Sequence, residues 1–180
     1  LPVVVSTRVA DGQALLPADF APLWAQLGDR PTSIFESGKG GRYTYVVADV
    51  HDELRGDAAD QPLASLRAWM SEYVGPDLSE LRLPKFIGGC MGYFNYDLAR
   101  AIEKLPATAV DDLPLPDYYF QRVAKLWVVD HETRDVYACV WRFGHLGAEV
   151  VDEAYEKALA EARNMLDTWV HYCAYDASER

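Results

Sequence analysis

The residues best equipped for chemistry lie in one short glycine-rich stretch, Ile34-Phe35-Glu36-Ser37-Gly38-Lys39-Gly40-Gly41-Arg42-Tyr43. Glu36 can accept from an ammonium, Ser37 adds a hydroxyl, and Arg42 presents a rigid fork of donors that matches a carboxylate. Tyr43 can close an apolar wall beside them. The set suits a zwitterion such as an amino acid, so Glu36, Ser37, Gly41, Arg42 and Tyr43 are the candidate ligand-binding residues. Lys39 among glycines also invites comparison with a phosphate cradle, but phosphate loops run from a strand into a helix N-terminus. Here a strand follows, which leaves a hairpin turn or a small-molecule site.

A second stretch, Phe86 to Pro106, combines an apolar run with Gly88, Gly89 and Gly92. Missing side chains in such a run mark places where another backbone or a ligand comes close, and the stretch reads as a buried, crowded strand. Asn95 or Asp97 then caps a short helix carrying Leu98, Ile102 and Leu105 at helical spacing, ended by Pro106.

No catalytic set accompanies these stretches. The four histidines, His51, His131, His145 and His171, are scattered in the sequence, and none stands near a Ser or Cys as a base beside a nucleophile. His51 with Asp52, Glu53, Asp57 and Asp60 reads as a solvated loop or short edge hairpin. It lacks the supporting His or Cys partners of a metal site, so no metal ligand is assigned.

Composition narrows the partners. A net charge of -11 argues against nucleic acid and anionic membrane surfaces, whose recognition rests on clustered Lys and Arg. Cys90, Cys139 and Cys173 are an odd number at wide spacing, as expected of reduced thiols in a cytoplasmic protein. No signal peptide is evident, and no apolar run reaches the roughly 18 residues that span a bilayer. The 180 residues, 50% hydrophobic, suffice for one domain with a real core. The chain starts at Leu1 without a methionine, as a piece of a longer protein would.

The elements that must position these residues are an α+β set. Val3, Val4 and Val5 suit a strand over Leu1 to Val9. Phe20, Leu23, Trp24 and Leu27 give a helix over Asp19 to Leu27, ended by Gly28. Thr32 to Ser37 and Arg42 to Val50 read as strands joined by the glycine turn. Pro62 opens a helix whose apolar face is Leu63, Leu66, Met70 and Tyr73, with Trp69 beside them, broken at Gly75-Pro76. Ala107 to Pro116 is an extended, proline-rich acidic connection. Tyr118 to Val129 and Val136 to Phe143 form a hairpin covered on both faces around the turn Asp130 to Asp135. Glu149 to Cys173 is a packing helix whose buried face includes Ala158, Ala162, Leu166, Trp169, Val170 and Cys173, with Glu153 and Lys157 paired at i,i+4. The polar tail Asp176 to Arg180 has the character of a linker.

Both glycine stretches, together with Glu103-Lys104-Leu105-Pro106 and Asp112-Leu113-Pro114-Leu115-Pro116-Asp117, occur in an order that resembles the N-terminal region of chorismate-utilising component I enzymes. These are the anthranilate synthases and the aminodeoxychorismate (para-aminobenzoate) synthases of tryptophan and folate biosynthesis. The resemblance, from about Leu27 to Phe143, implies an antiparallel sheet with packed helices, the N-terminal half of the component I fold, as a single domain over residues 1–180. It further implies a C-terminal chorismate-binding domain that carries Mg²⁺ and the catalytic residues, a glutamine amidotransferase component II as partner, and a tryptophan pocket lined by Glu36, Ser37 and the turn into Arg42 and Tyr43. Nothing in these 180 residues matches the catalytic domain, so no catalytic residue and no metal ligand is carried over, and the chain alone is expected to be inactive. The compact turn and the Val46-Val47-Ala48-Asp49 that follows lean toward the para-aminobenzoate branch. Val50 stands where the family usually has proline, a change that touches a turn. A non-catalytic amino-acid-binding domain and a scaffold for the amidotransferase are the competing readings.

Overall fold

The computed structural model describes residues 1–28, 32–36, 40–101, 103–104, 113, 115–144 and 148–175. Its strands are β1 (Pro2–Arg8), β2 (Ser33–Glu36), β3 (Tyr43–Gly56), β4 (Gly89–Phe94), β5 (Tyr118–Asp130) and β6 (Asp135–Trp141). Its α-helices are α1 (Ala21–Leu27), α2 (Pro62–Met70) and α3 (Ala148–Tyr175). The strands make one sheet in the order β1-β6-β5-β3-β2, and every pairing is antiparallel. β5 is the spine: β3 runs along one side, while β4 and β6 share the other, β4 on its first half and β6 on its second. The α+β class and the antiparallel sheet with packed helices therefore stand.

Each face of the sheet has its own core. On one, Val46, Trp127, Val129, Val136, Ala138 and Val140 meet α1 and the α3 residues Ala158, Ala162, Met165, Leu166, Trp169 and Cys173. These recur at helical spacing, which is why α3 can lie flat on the sheet. Val170, expected on this face, is instead 48% exposed, one step around the helix from Trp169. The Glu153–Lys157 pair forms at 2.6 Å. The buried indoles are satisfied: Trp127 donates to the Met165 carbonyl at 2.9 Å and Trp169 to that of Leu15 at 3.0 Å. On the other face, Val47, Val123, Leu126, Val128 and Cys139 are covered by Leu78, Leu83, Phe86 and Ile87, from a segment without regular structure. All three cysteines are free, and burial pushes the Cys173 thiol up to about 12.

Four sequence-based expectations are corrected. The segment read as a loop at His51 continues β3 through register shifts to Gly56. Its charged residues alternate, with His51, Glu53 and Arg55 exposed while Asp52 and Leu54 are half-buried, and the inward Asp52 pairs with Arg122 at 3.2 Å. Composition hid a strand that its period of two displays. α2 is rotated from its expected face: Trp69 and Pro62 are buried, while Leu63 and Met70 are more than half exposed. Packing of the Trp69 ring against the Arg122 guanidinium, 4.3 Å away, sets that rotation. β4 is an edge strand whose residues are mostly exposed rather than buried. The glycines here nevertheless answer to close approach, since a Cβ at Gly92 would overlap the Tyr119 carbonyl and one at Gly88, just before the strand, the Trp141 indole. The helix after β4 is a short 3-10 helix, Tyr96–Ala101, capped by Asn95 through the Leu98 amide at 3.2 Å. Ile102, Leu105, Pro106, most of Ala107 to Pro116, and the Asp176 to Arg180 tail lie outside the described residues.

Candidate functional site

The glycine turn joins β2 to β3, which pair from Ser33 opposite Val47 to Glu36 opposite Thr44. Glu36 ends β2 exposed to solvent. Ser37, with Gly38 and Lys39, lies outside the described residues. Gly40 has φ 83, a conformation that glycine adopts without strain and that lets the chain turn toward Arg42.

Arg42 closes its fork on its own chain. Nε donates to both Asp130 oxygens at 3.0 and 3.1 Å, Nη2 donates to Oδ2 at 2.7 Å, and Nη1 lies 2.9 Å from Glu132. Asp130 also accepts from the backbone amides of Glu132 and Thr133. Next to this pair the His131 amide donates to the Arg42 carbonyl at 2.8 Å, and Thr44 Oγ1 meets His131 Nε2 at the same distance. Arg42 therefore bolts the β2–β3 turn to the β5–β6 turn, and a ligand carboxylate reaching it must compete with Asp130. Tyr43 lies against Arg42, 5.1 Å from guanidinium carbon to ring centre, and leads into a row of rings: Tyr45 at 5.9 Å, then Phe86 edge-on to Tyr45 at 5.6 Å. The structure thus brings Arg42, Tyr43 and Gly41 to one end of the sheet beside an aromatic wall, with Glu36 exposed nearby on the adjoining strand.

The partners Asp130, His131 and Glu132 were not singled out by sequence reasoning as site residues. Their turn is polar, but nothing local announces a pairing across 88 residues. Burial raises the Asp130 carboxyl, yet the hydrogen bonds from Arg42 and from the Thr133 and Glu132 amides outweigh it and hold it below the usual carboxylate value. Its contribution is then present above the unfolded-state value, about 4, and is lost as pH falls through the lower folded-state value. Asp130→Asn is expected to lose about 1.5–3 kcal/mol at neutral pH, the range for hydrogen bonds to a charged group, and to flatten the acid limb of stability against pH. Denaturant unfolding from pH 7 to pH 3 checks this; superimposable acid limbs would contradict it.

Among the described residues no three His, Cys, Asp or Glu side chains group so as to hold a metal ion, so no residue here is assigned to Mg²⁺. His51 contacts the Tyr73 hydroxyl at 3.2 Å, and His145 lies outside the described residues. No helix is long and apolar enough to cross a membrane.

The fold is that of a component I synthase subunit: the crystal structure of anthranilate synthase component I from Streptococcus pneumoniae TIGR4 superposes on 86% of this chain and 37% of its own, with a TM-score of 0.50 at 17% identity. In sequence, the chain is similar to component 1 of anthranilate and aminodeoxychorismate synthases. It is 30% identical over 191 residues to anthranilate synthase component 1 of Pseudomonas aeruginosa, covering 88% of this chain and 37% of that protein. It is 27% identical over 146 residues to aminodeoxychorismate synthase component 1 of Bacillus subtilis, covering 73% and 30%. A shorter match, 37% identical over 101 residues, reaches anthranilate synthase component 1 of Mycobacterium tuberculosis, covering 55% of this chain and 20% of that protein. The chain thus spans about a third or less of the length of these relatives. No family model matches it.

Proposed function

We propose that residues 1–180 are the non-catalytic N-terminal domain of a cytoplasmic synthase that aminates chorismate, packed in the complete enzyme on a chorismate-binding, Mg²⁺-dependent domain and served by a glutamine amidotransferase component. Similarity along 88% of the chain to a relative that is far longer is the observation that carries this reading. Uncovered apolar side chains support it. Tyr93 and Phe94 on the edge strand β4, Tyr96 after it, and Leu113 and Leu115 on the approach to β5 are 39, 39, 87, 64 and 60% exposed, apolar side chains that a further domain would cover.

The aminodeoxychorismate branch is our first reading, resting on the compact turn between Glu36 and Arg42. The anthranilate branch is the second, favoured by the higher identity of its relatives, 37% against 27%. The product formed from chorismate and ammonia by the protein encoded through and beyond Arg180 separates them: free anthranilate supports the second, aminodeoxychorismate the first.

In this proposal the stretch contributes to a tryptophan-type pocket, with Glu36 matched to the ligand amine, Ser37 supplying a hydroxyl, Gly41 giving the backbone room, and Tyr43 and Tyr45 as ring wall. Arg42 reaches a ligand carboxylate by sharing its fork with Asp130. Ser37→Ala in the complete enzyme is expected to weaken tryptophan binding several-fold, the loss of one hydrogen bond worth about 0.5–1.5 kcal/mol, while chorismate affinity stays unchanged. Isothermal titration checks this. Equal tryptophan affinities would leave the stretch an ordinary hairpin turn.

A further inference from the structure

Arg42 carries two carboxylates of its own chain, and they are held very differently. Asp130 is 2% exposed and takes one side of the guanidinium, with Nε donating at 3.0 and 3.1 Å and Nη2 at 2.7 Å. The Glu132 and Thr133 amides donate to the same carboxylate at 3.0 and 3.4 Å, so it is built into the turn. Glu132 lies 2.9 Å from the remaining nitrogen, Nη1, and its side chain is 66% exposed. An ion pair so open to solvent gains little over its two hydrated partners and is readily exchanged.

That difference decides where a third carboxylate can go. A guanidinium offers its donors in a fixed fork, and Asp130 fills the Nε–Nη2 side of it. Dislodging Asp130 would leave a buried carboxylate and two backbone amides without their partners. The Nη1 end is the part a newcomer can reach, on a side chain that is 44% exposed. A carboxylate arriving there meets the negative charge of Glu132 on the same nitrogen, and of the two chain carboxylates Glu132 is the one free to give way. The row of rings begins at this guanidinium, with Tyr43 5.1 Å from its carbon and Tyr45 and Phe86 beyond, so a molecule with a carboxylate and an aromatic ring a few bonds apart can meet both.

We infer that Glu132 is a built-in competitor of the amino-acid ligand: it holds Arg42 Nη1 until the ligand carboxylate takes its place, and so lowers the affinity of the pocket, while Asp130 stays and keeps the guanidinium aimed. Glu132 has this role only if the glycine turn contributes to the amino-acid pocket proposed above. It then restrains binding, whereas Ser37 favours it.

Isothermal titration of the complete enzyme with tryptophan and with tryptophanamide, which keeps the ring and the amine and lacks the negative charge, separates this role from the pocket itself. Glu132→Gln keeps the shape of the side chain and removes its charge. It is expected to bind tryptophan about three- to fivefold more tightly than the parent, the worth of one exposed ion pair, and to gain nothing for tryptophanamide. Because Glu132 is exposed, the variant is expected to keep the parent melting temperature. Tryptophan binding by the parent that Glu132→Gln leaves equal or weakens would overturn the competitor role and leave the pocket standing. A gain shared equally by tryptophanamide would overturn it too, since the carboxylate is then not what Glu132 excludes. No tryptophan binding by the parent would remove the pocket and the competitor together.

Discussion

Replacing Trp169 by alanine is expected to remove about 3–5 kcal/mol of stability, the range for deleting a buried tryptophan. The side chain is fully buried, packs on Trp127 at 5.4 Å and on Phe20 at 6.2 Å, and donates to the Leu15 carbonyl at 3.0 Å. It is the point at which α3, the sheet and the segment leading to α1 meet, so a cavity here cannot be refilled by one neighbour moving. Domains of this size are commonly stable by only about 5–15 kcal/mol, and the variant should stand near the edge of folding. Trp169→Phe keeps most of the ring contact and loses the hydrogen bond, with an expected cost of about 1–2 kcal/mol. Urea unfolding followed by circular dichroism checks both. A Trp169→Ala midpoint within error of the parent would mean that α3 does not anchor on this indole.

The second large effect is expected at Gly88. Its φ of 151 is unfavourable for residues with a side chain, and the Trp141 indole occupies the place of its missing Cβ. Gly88→Ala must therefore strain the backbone and push Trp141 off the Ile87 carbonyl. Overpacking costs about 1–3 kcal/mol and the backbone about another 1 kcal/mol. Gly75→Ala is the control, because Trp141 is 3.9 Å from a Cβ built there, an ordinary contact. It should change stability by less than about 0.5 kcal/mol. The indole released in Gly88→Ala is expected to shift its fluorescence to the red. Equal stability of the two variants would show that Trp141 is free to move.

What could be read from the sequence follows the range of the interactions. α1, α3 and the β5–β6 hairpin are set by local periodicity and turn chemistry, and each lies close to its expected limits. Gly88 and Gly92 declared crowding correctly, because a missing side chain in an apolar run has few other uses, but not that the crowding lay at a sheet edge. The second half of β3 was lost to its charge: Asp52 is tolerable inside only because Arg122 faces it across the sheet. The same arginine turned α2 toward Trp69, against the face that Leu63 and Met70 suggested. At the glycine turn, residue types pointed to Arg42 as a ligand's carboxylate partner, while the fold supplies a carboxylate from Asp130. In each case the deciding partner is far away in sequence, as ion pairs across a sheet usually are, and no local pattern encodes them.

Turnover of chorismate with ammonium and Mg²⁺, compared between residues 1–180 and the protein encoded through and beyond Arg180, decides whether this chain is the non-catalytic part of such a synthase. Residues 1–180 are expected to consume no chorismate, and the longer protein to release an aminated product. Turnover by residues 1–180 alone, or none by the longer protein under conditions in which both are folded, would contradict that assignment.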